Sequence, residues 1–397
     1  MKISLAAALL ALPLVAAPAF AEDAPSGEPI KIGVISELSG PYSFFGQSCV
    51  AGFRFAETEI NAGGGILHRP LKLIIVDNQT SPGQSIAAAR AADTNDQVVA
   101  ITGPTSSDNA LALYGYVEQN HLPFIVPVAA FPQLTKPGTH WTFRMEPDAV
   151  GFGHAAAQFI AELKPGARVA IAINDYAVSR AAAVGFKYQA ARSGLVITDD
   201  MIFPQNTTDA TIQAAQIAAH HPDYVYFNTV GAFDAIFGNE LLDLGFKPEQ
   251  LVRTFGITTG IKSWGPRAVG SIYGTFFDKG IDNLNDAGHA FISAFTAANN
   301  RPPSYVENFC YTTPFVFKAA IEAAGSTDRQ KLRDAISALV VPERTTGKII
   351  RFDQNGARTG YGYFMRLTGQ GQNDYQSKQL SYREWSPEEI PVYDIVK

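Results

Sequence analysis

The sequence predicts an α/β fold of two doubly wound parallel-sheet lobes, and three observations predict it. Short runs rich in Val and Ile alternate with helical stretches along nearly the whole chain. The runs lack strict apolar–polar alternation, as strands covered on both faces do. The loops between them are short, so successive strands run parallel with helices on both faces. One sheet holding them all would need about ten or more strands, which favours division into two lobes.

Taken in order, the chain opens on Met1-Lys2, an uncharged apolar stretch over 3–17 and the small-x-small sequence Ala19-Phe20-Ala21. That pattern predicts a cleaved export signal over 1–21. The stretch is short for a membrane span and holds Pro13. The mature chain would start at Glu22 and, losing Lys2, move from a formal net charge of -6 to -7. Predicted strands follow at 31–38, 71–77, 98–102, 124–128, 168–173, 224–229 and 272–277. Predicted helices fall at 50–61, 84–92, 107–120, 149–163, 181–193, 209–219, 232–243, 286–299 and 315–324. In the first of these, Phe53, Ala56 and Ile60 share one face. The alternation breaks at 144–150, 278–284 and 342–348, three candidate crossovers between lobes. No internal repeat is visible.

Composition excludes several function classes. Lys and Arg are scattered, which argues against nucleic acid as a partner. Two cysteines, Cys49 and Cys310, exclude a disulfide-rich scaffold and a Cys-based metal centre. In an exported chain they could pair or stay as separate buried thiols. No run outside the N-terminus is long enough to span a membrane. The chain lacks a Walker phosphate loop, a G-x-S-x-G elbow and an H-E-x-x-H pair, and its seven histidines show no metal-ligand spacing. Gly63-Gly64-Gly65 reads as a helix stop rather than a phosphate cradle. Asp77 and Asp175 end predicted strands, where a capping role is favoured. Ser106-Ser107 follows a strand and Gly103-Pro104 and precedes a helix. It is either an anion site at a helix N-terminus or a simple Ser N-cap.

The stretch 31–82 carries a family resemblance. It reads IKIGVISELSGPYSFFGQ, a helix, then INAGGGILHRPLKLIIVDNQTSP. GPTSS at 103–107, PFIVPVAAFPQLT at 123–135, TFR at 142–144 and YVYFNTVGA at 224–232 continue it, as do AAGSTDRQKLRDAI at 323–336 and GKIIRFDQNG at 347–356. The ordered set resembles the periplasmic Leu/Ile/Val-binding (type I) substrate-binding proteins of ABC importers. The resemblance implies two lobes joined by a three-segment hinge that closes on a ligand. Lobe 1 would comprise 28–148 plus 281–343, and lobe 2 149–280 plus 344–397.

Carried over residue by residue, the resemblance places a ligand carboxylate on Ser107 and backbone N–H groups near Ala130. Val128 and Ala129 would line the neighbouring cleft, and Phe45 would form an aromatic wall. The parts that hold an α-amine differ: Ala130 stands where the family has a Thr hydroxyl, and Thr258 where it has an acid. Tyr176 and Val230 fall near positions of lobe 2 tyrosines, one of which matches Ser179. The implied ligand is a carboxylate without an α-amine, aromatic or short and branched, set against Phe44, Phe45, Tyr176 and Trp264. An amino acid, with Asp175 or Glu37 supplying the missing charge, is the alternative, and a neutral amide a further one. The expected function is non-enzymatic solute delivery to importer permease subunits, by a periplasmic monomer without cofactor, metal or stable membrane insertion. A ligand-sensing subunit for a membrane kinase is the competing role.

Overall fold

The structure is a computed structural model that describes residues 24–229, 232–254, 264–371, 373–386, 390 and 392. The expected leader, Val230 and Thr258 lie outside the described residues.

The first sheet holds β1 (Ile30–Ser36), β2 (Leu71–Asp77), β3 (Ala100–Thr102), β4 (Phe124–Val126) and β5 (Thr142–Arg144). Its order is β2-β1-β3-β4-β5, parallel throughout. Helices α1 (Ser43–Ala62), α2 (Pro82–Thr94) and α3 (Ser107–Gln119) connect the strands. Strand order reverses between β1 and β3. The carboxyl edge at such a reversal is where doubly wound sheets bind ligands.

Helix α1 starts seven residues before its predicted start. Its first turn, Ser43-Phe44-Phe45-Gly46, carries aromatics and a glycine that look like loop. Gly46 is there for space: a Cβ on it would lie 2.0 Å from the Glu37 carbonyl oxygen. At the other end Gly64 and Gly65 take φ of 82° and 78°, so this glycine run is the helix stop the sequence suggested.

Asp77 ends β2 and gathers donors from two turns. Its Oδ1 accepts from the N–H groups of Leu38 (3.0 Å), Ser39 (3.3 Å) and Gln79 (2.8 Å), and Oδ2 from the Ser39 hydroxyl (2.7 Å). Desolvation opposes the charge, but these hydrogen bonds outweigh it and hold the carboxyl below its usual range. Its stabilisation is therefore present above the unfolded value near pH 4 and is lost as pH falls through the folded one. Asp77→Asn is expected to cost on the order of 1 kcal/mol at pH 7, after discounting for exposure. Melts at pH 7 and at about pH 3 check this, because the difference from wild type should shrink in acid.

From β5 the chain passes to a second sheet through α4 (Ala149–Leu163), β6 (Arg168–Asn174), α5 (Ala177–Arg192), β7 (Val196–Phe203) and α6 (Thr211–Ala219). β8 (Tyr224–Asn228), α7 (Ala232–Asp243), β9 (Leu251–Arg253) and β10 (Ile272–Thr275) follow. Then come α8 (Asp286–Asn299), α9 (Tyr305–Ala324) and α10 (Arg329–Ala338), the two-stranded ribbon β11 (Val340–Pro342) and β12 (Ile349–Arg351), and the hairpin β13 (Gly360–Gln370) and β14 (Tyr375–Trp385). The second sheet runs β14-β13-β10-β9-β8-β6-β7. Its parallel part, β7-β6-β8-β9-β10, repeats the strand order of the first sheet, a duplication the sequence does not show.

The expectation of purely parallel sheets needs one correction. β13 pairs antiparallel with both β10 and β14. The short turn that joins β13 to β14 permits only antiparallel pairing of those two strands. β7 escaped prediction because it is an edge strand: Val196 and Ile202 are exposed and Asp199 and Asp200 interrupt the apolar run.

Two close contacts set the helical layers. α9 lies on α1, where Cys49 and Cys310 form a disulfide with Cα atoms 5.2 Å apart, which settles the two readings of these cysteines. Gly52 allows the approach, since a Cβ there would meet the Glu307 carbonyl oxygen at 2.4 Å. α4 and α5 touch through Gly153 and Gly185, where a Cβ would fall 1.9 Å from the carbonyl oxygens of Ala182 and Val150 respectively.

Candidate functional site

The carboxyl edge of the first sheet collects five loops, and the candidate residues stand on them. Because β3 and β4 are paired, the loop of Ser107 and the loop of Val128, Ala129 and Ala130 emerge side by side. Ser107 is 5% exposed, Val128 6%, and Ala129 and Ala130 1% each, so anything they touch must enter a nearly closed space.

The N-cap of α3 is Ser106, and its side chain makes no capping hydrogen bond. A simple Ser cap is thus not what is built here. The Ser107 hydroxyl has no hydrogen-bond partner among the described residues. Part of the anion-binding capacity is already used, however. Glu37, at the end of β1 and wholly buried, crosses the strand reversal. Its Oε2 accepts from Thr105 N–H (3.0 Å) and Thr105 hydroxyl (2.8 Å). Its Oε1 accepts from Ser106 N–H (3.2 Å), Asn109 Nδ2 (2.9 Å) and Asn78 Nδ2 (3.4 Å). Five donors saturate a carboxylate with about four lone-pair sites. Glu37 is therefore spent within the first sheet and has no lone pair left to accept from a ligand amine.

An aromatic group stands beside it. Phe45 packs on Tyr42 (5.4 Å between ring centres) and Phe44 (5.7 Å). Tyr42, just before α1, meets Tyr176 edge-on at 5.4 Å and 80°. Tyr176 precedes α5 of the second sheet, so this ring pair spans the space between the two carboxyl edges. Burial pushes the Tyr176 hydroxyl above its usual value, and Asp108 adds to the shift. Asp108, in the first turn of α3, is itself raised by desolvation; Arg180 opposes this and Asp175 reinforces it. Asp108 thus faces the second lobe's Asp175–Arg180 pair, whose atoms lie 2.8 Å apart.

That pair corrects the reading of Asp175, which neither caps α5 nor lacks a cation: it holds Arg180. Trp264 is corrected too. It is 2% exposed, stacked on Phe227 at 5.6 Å, and its N–H donates to Asp234 (2.8 Å). It is core, not a cleft wall. Ser179 is buried and donates to Asn228 Oδ1 (3.1 Å), tying α5 to the end of β8.

Sequence reasoning missed Tyr42, Asp108 and Arg180. Each sits in a loop or first helical turn where periodicity carries no signal. Tyr42 follows the quoted S-G-P and was readable on that ground. Among the described residues no group of acids, histidines and cysteines is placed to hold a metal, and no helix is long and apolar enough to cross a membrane.

Comparison with known proteins supplies the context. Residues 29–373 match the family model described as periplasmic binding protein. A Leu/Ile/Val-binding protein of Rhizobium johnstonii is 28% identical over 300 residues, 75% of this chain and 80% of that one. A leucine-, isoleucine-, valine-, threonine- and alanine-binding protein of Pseudomonas aeruginosa is 25% identical over 355 residues, 85% of this chain and 89% of that one. Among solved structures, a solute-binding protein of an ABC transporter from R. palustris, in complex with benzoate, superposes with a TM-score of 0.79 at 19% identity, covering 90% and 98% of the two chains.

Proposed function

Since the chain belongs to the periplasmic binding protein family, a family of solute-binding proteins and not of enzymes, we propose that it captures a carboxylic acid without an α-amine and presents it to an ABC importer. The acid is aromatic or short and branched. The lobes divide at 28–148 plus 281–343 and 149–280 plus 344–397, the protein acts as a periplasmic monomer once residues 1–21 are removed, and the permease subunits read its ligand-closed form. Closure needs only that the ligand bind the closed form more tightly than the open one.

The observation that carries this reading is the uncapped first turn of α3, with the unpartnered Ser107 hydroxyl beside the Ala130 loop. It suits a carboxylate. The ammonium side lacks support: Ala130 brings no hydroxyl, Glu37 is saturated and Asp175 holds Arg180. Tyr42, Phe45 and Tyr176 favour a flat or branched apolar body. The ligands of relatives span both classes, branched-chain amino acids and benzoate, so the choice rests on these residues.

The test is a thermal-shift and titration screen on protein stripped of ligand by unfolding and refolding. One panel holds L-amino acids, the other benzoate, hydroxybenzoates and branched amine-free acids. A ligand at 100 times its Kd stabilises by about 2.7 kcal/mol, a shift of several degrees. Shifts with the second panel alone are expected; shifts with amino acids alone would overturn the reading. Ser107→Ala should weaken binding of the best acid by about 10- to 100-fold, the worth of a charge-assisted hydrogen bond. If Ser107→Ala combined with Phe45→Ala left affinity unchanged, the site would be elsewhere.

A further inference from the structure

Glu146 stands in the first crossover, between β5 and α4, only 2% exposed. Its carboxyl makes no hydrogen bond among the described residues, and Oε2 is fully enclosed. Backbone contacts place it. Met145 N–H donates to the Val126 carbonyl (2.9 Å) and Ala149 N–H to the Ala130 carbonyl (3.0 Å). The Arg144 guanidinium donates to the backbone carbonyl oxygen of Glu146, not to its carboxyl. Residues 145–149 therefore run beside 126–130, next to the loop that carries Val128, Ala129 and Ala130. Tyr42 and Tyr305 lie near enough for their hydroxyls to feel its charge, and Tyr42 touches Tyr176 of the second lobe. Buried acids that serve the fold are hydrogen-bonded. Glu37, with five donors, shows how this protein satisfies one.

We propose that Glu146 is a ligand-reading residue: beside the loop that carries Val128, Ala129 and Ala130, its carboxyl hydrogen-bonds a hydroxyl group carried by the bound carboxylic acid. The inference rests on the amine-free carboxylate reading above. Desolvation pushes the Glu146 carboxyl well above its usual range, against the lowering effect of Arg144. Burial likewise lifts Tyr42 and Tyr305, so both stay neutral; Arg144 on β5 is the cation that bears on Glu146. A neutral acid both donates and accepts, and a hydroxyl complements both halves. An ammonium would first have to displace the proton, so its binding would strengthen as pH rises.

The test is isothermal titration of the full mature chain, stripped of ligand, with paired probes: 3- and 4-hydroxybenzoate against benzoate, and 2-hydroxy-3-methylbutanoate against 3-methylbutanoate. L-Valine and L-leucine form the ammonium arm. Wild type should bind the best hydroxylated acid about tenfold or more tightly than its deoxy partner. Glu146→Leu should collapse the ratio toward one, and Glu146→Gln, which also donates and accepts, should retain part of it. The ratio cancels any loss common to both probes. Glu146→Ala carries the same comparison if the leucine variant does not fold. Two outcomes overturn the proposal alone: acids bind without hydroxyl preference, or the preference survives Glu146→Leu. An L-amino acid that binds with affinity rising with pH and lost in Glu146→Gln overturns both this proposal and the amine-free reading. If no acid binds at all, the carboxylate reading falls and this one falls with it.

Discussion

Glu343→Leu is expected to destabilise the protein by about 3–5 kcal/mol, because it strands a buried cation. Glu343 and Arg358 have fully buried side chains and meet at 2.7 Å. Glu343 Oε2 also accepts from the Tyr361 hydroxyl (3.0 Å), and Oε1 from Asn308 Nδ2 (2.6 Å). Asn308 belongs to α9, which packs on α1 of the first lobe, while Tyr361 belongs to β13 of the second sheet. The network therefore ties a helix packed on α1 to a strand of the second sheet. Arg358 Nε and Nη1 have no hydrogen-bond partner among the described residues, so without Glu343 the guanidinium would lose its carboxylate and keep contacts such as that with the Tyr361 ring, 4.9 Å from its centre. At about 2–4 °C per kcal/mol, melting should fall by roughly 10 °C. The informative comparison is the double variant Glu343→Leu with Arg358→Met. Replacing the whole pair by apolar groups is expected to cost much less than the sum of the single changes. A double-mutant cycle of melting curves measures this; additive effects would mean the two residues act separately.

Removing the disulfide is the second large effect. Cys49 and Cys310 are wholly buried and 261 positions apart. A bridge closing a loop of that length restricts the unfolded chain by about 5 kcal/mol on the chain-entropy model. Cys49→Ala with Cys310→Ala, or reduction of wild type, should lower the melting temperature by about 10 °C or more. Ligand affinity should change little in the double variant, since the bridge lies between α1 and α9. Titration beside the melt distinguishes a staple from a part of the site: a large loss of affinity would place the bridge in the binding machinery.

Some of the molecule was legible because local pattern and tertiary role coincide. Ile30–Ser36 and Arg168–Asn174 are interior strands and Leu71–Asp77 is an edge strand, and the apolar runs of all three announce them. Ser107 was legible because strand, Gly103-Pro104 and helix occur in that order. Other features depend on partners far away in sequence. Glu37 looked like a spare acid, yet its donors sit 41 to 72 positions on, and nothing near it predicts them. Trp264 looked like a cleft aromatic until Asp234 took its N–H. Glu146 lies in Arg-Met-Glu-Pro-Asp, which reads only as a break; its meaning comes from being buried without a partner, a property no sequence window contains. β13 and β14 were missed because Gly and Tyr alternate at the start of β13, and exposed polar residues fill β14.

The Cys49–Cys310 bridge also constrains how the molecule is made. Synthesis runs from the N-terminus, so the thiol of Cys49 emerges long before its mate. The chain has just these two cysteines, so no wrong pairing exists within one molecule. An oxidant is sufficient, and no enzyme that reshuffles disulfides is required. The error open to a half-made chain is bonding to a second chain through Cys49. The first lobe can be sealed only after helix α9 has arrived, when most of the second lobe has already been made. All five strands of the first sheet are synthesised before that helix, so the bridge can close only after them.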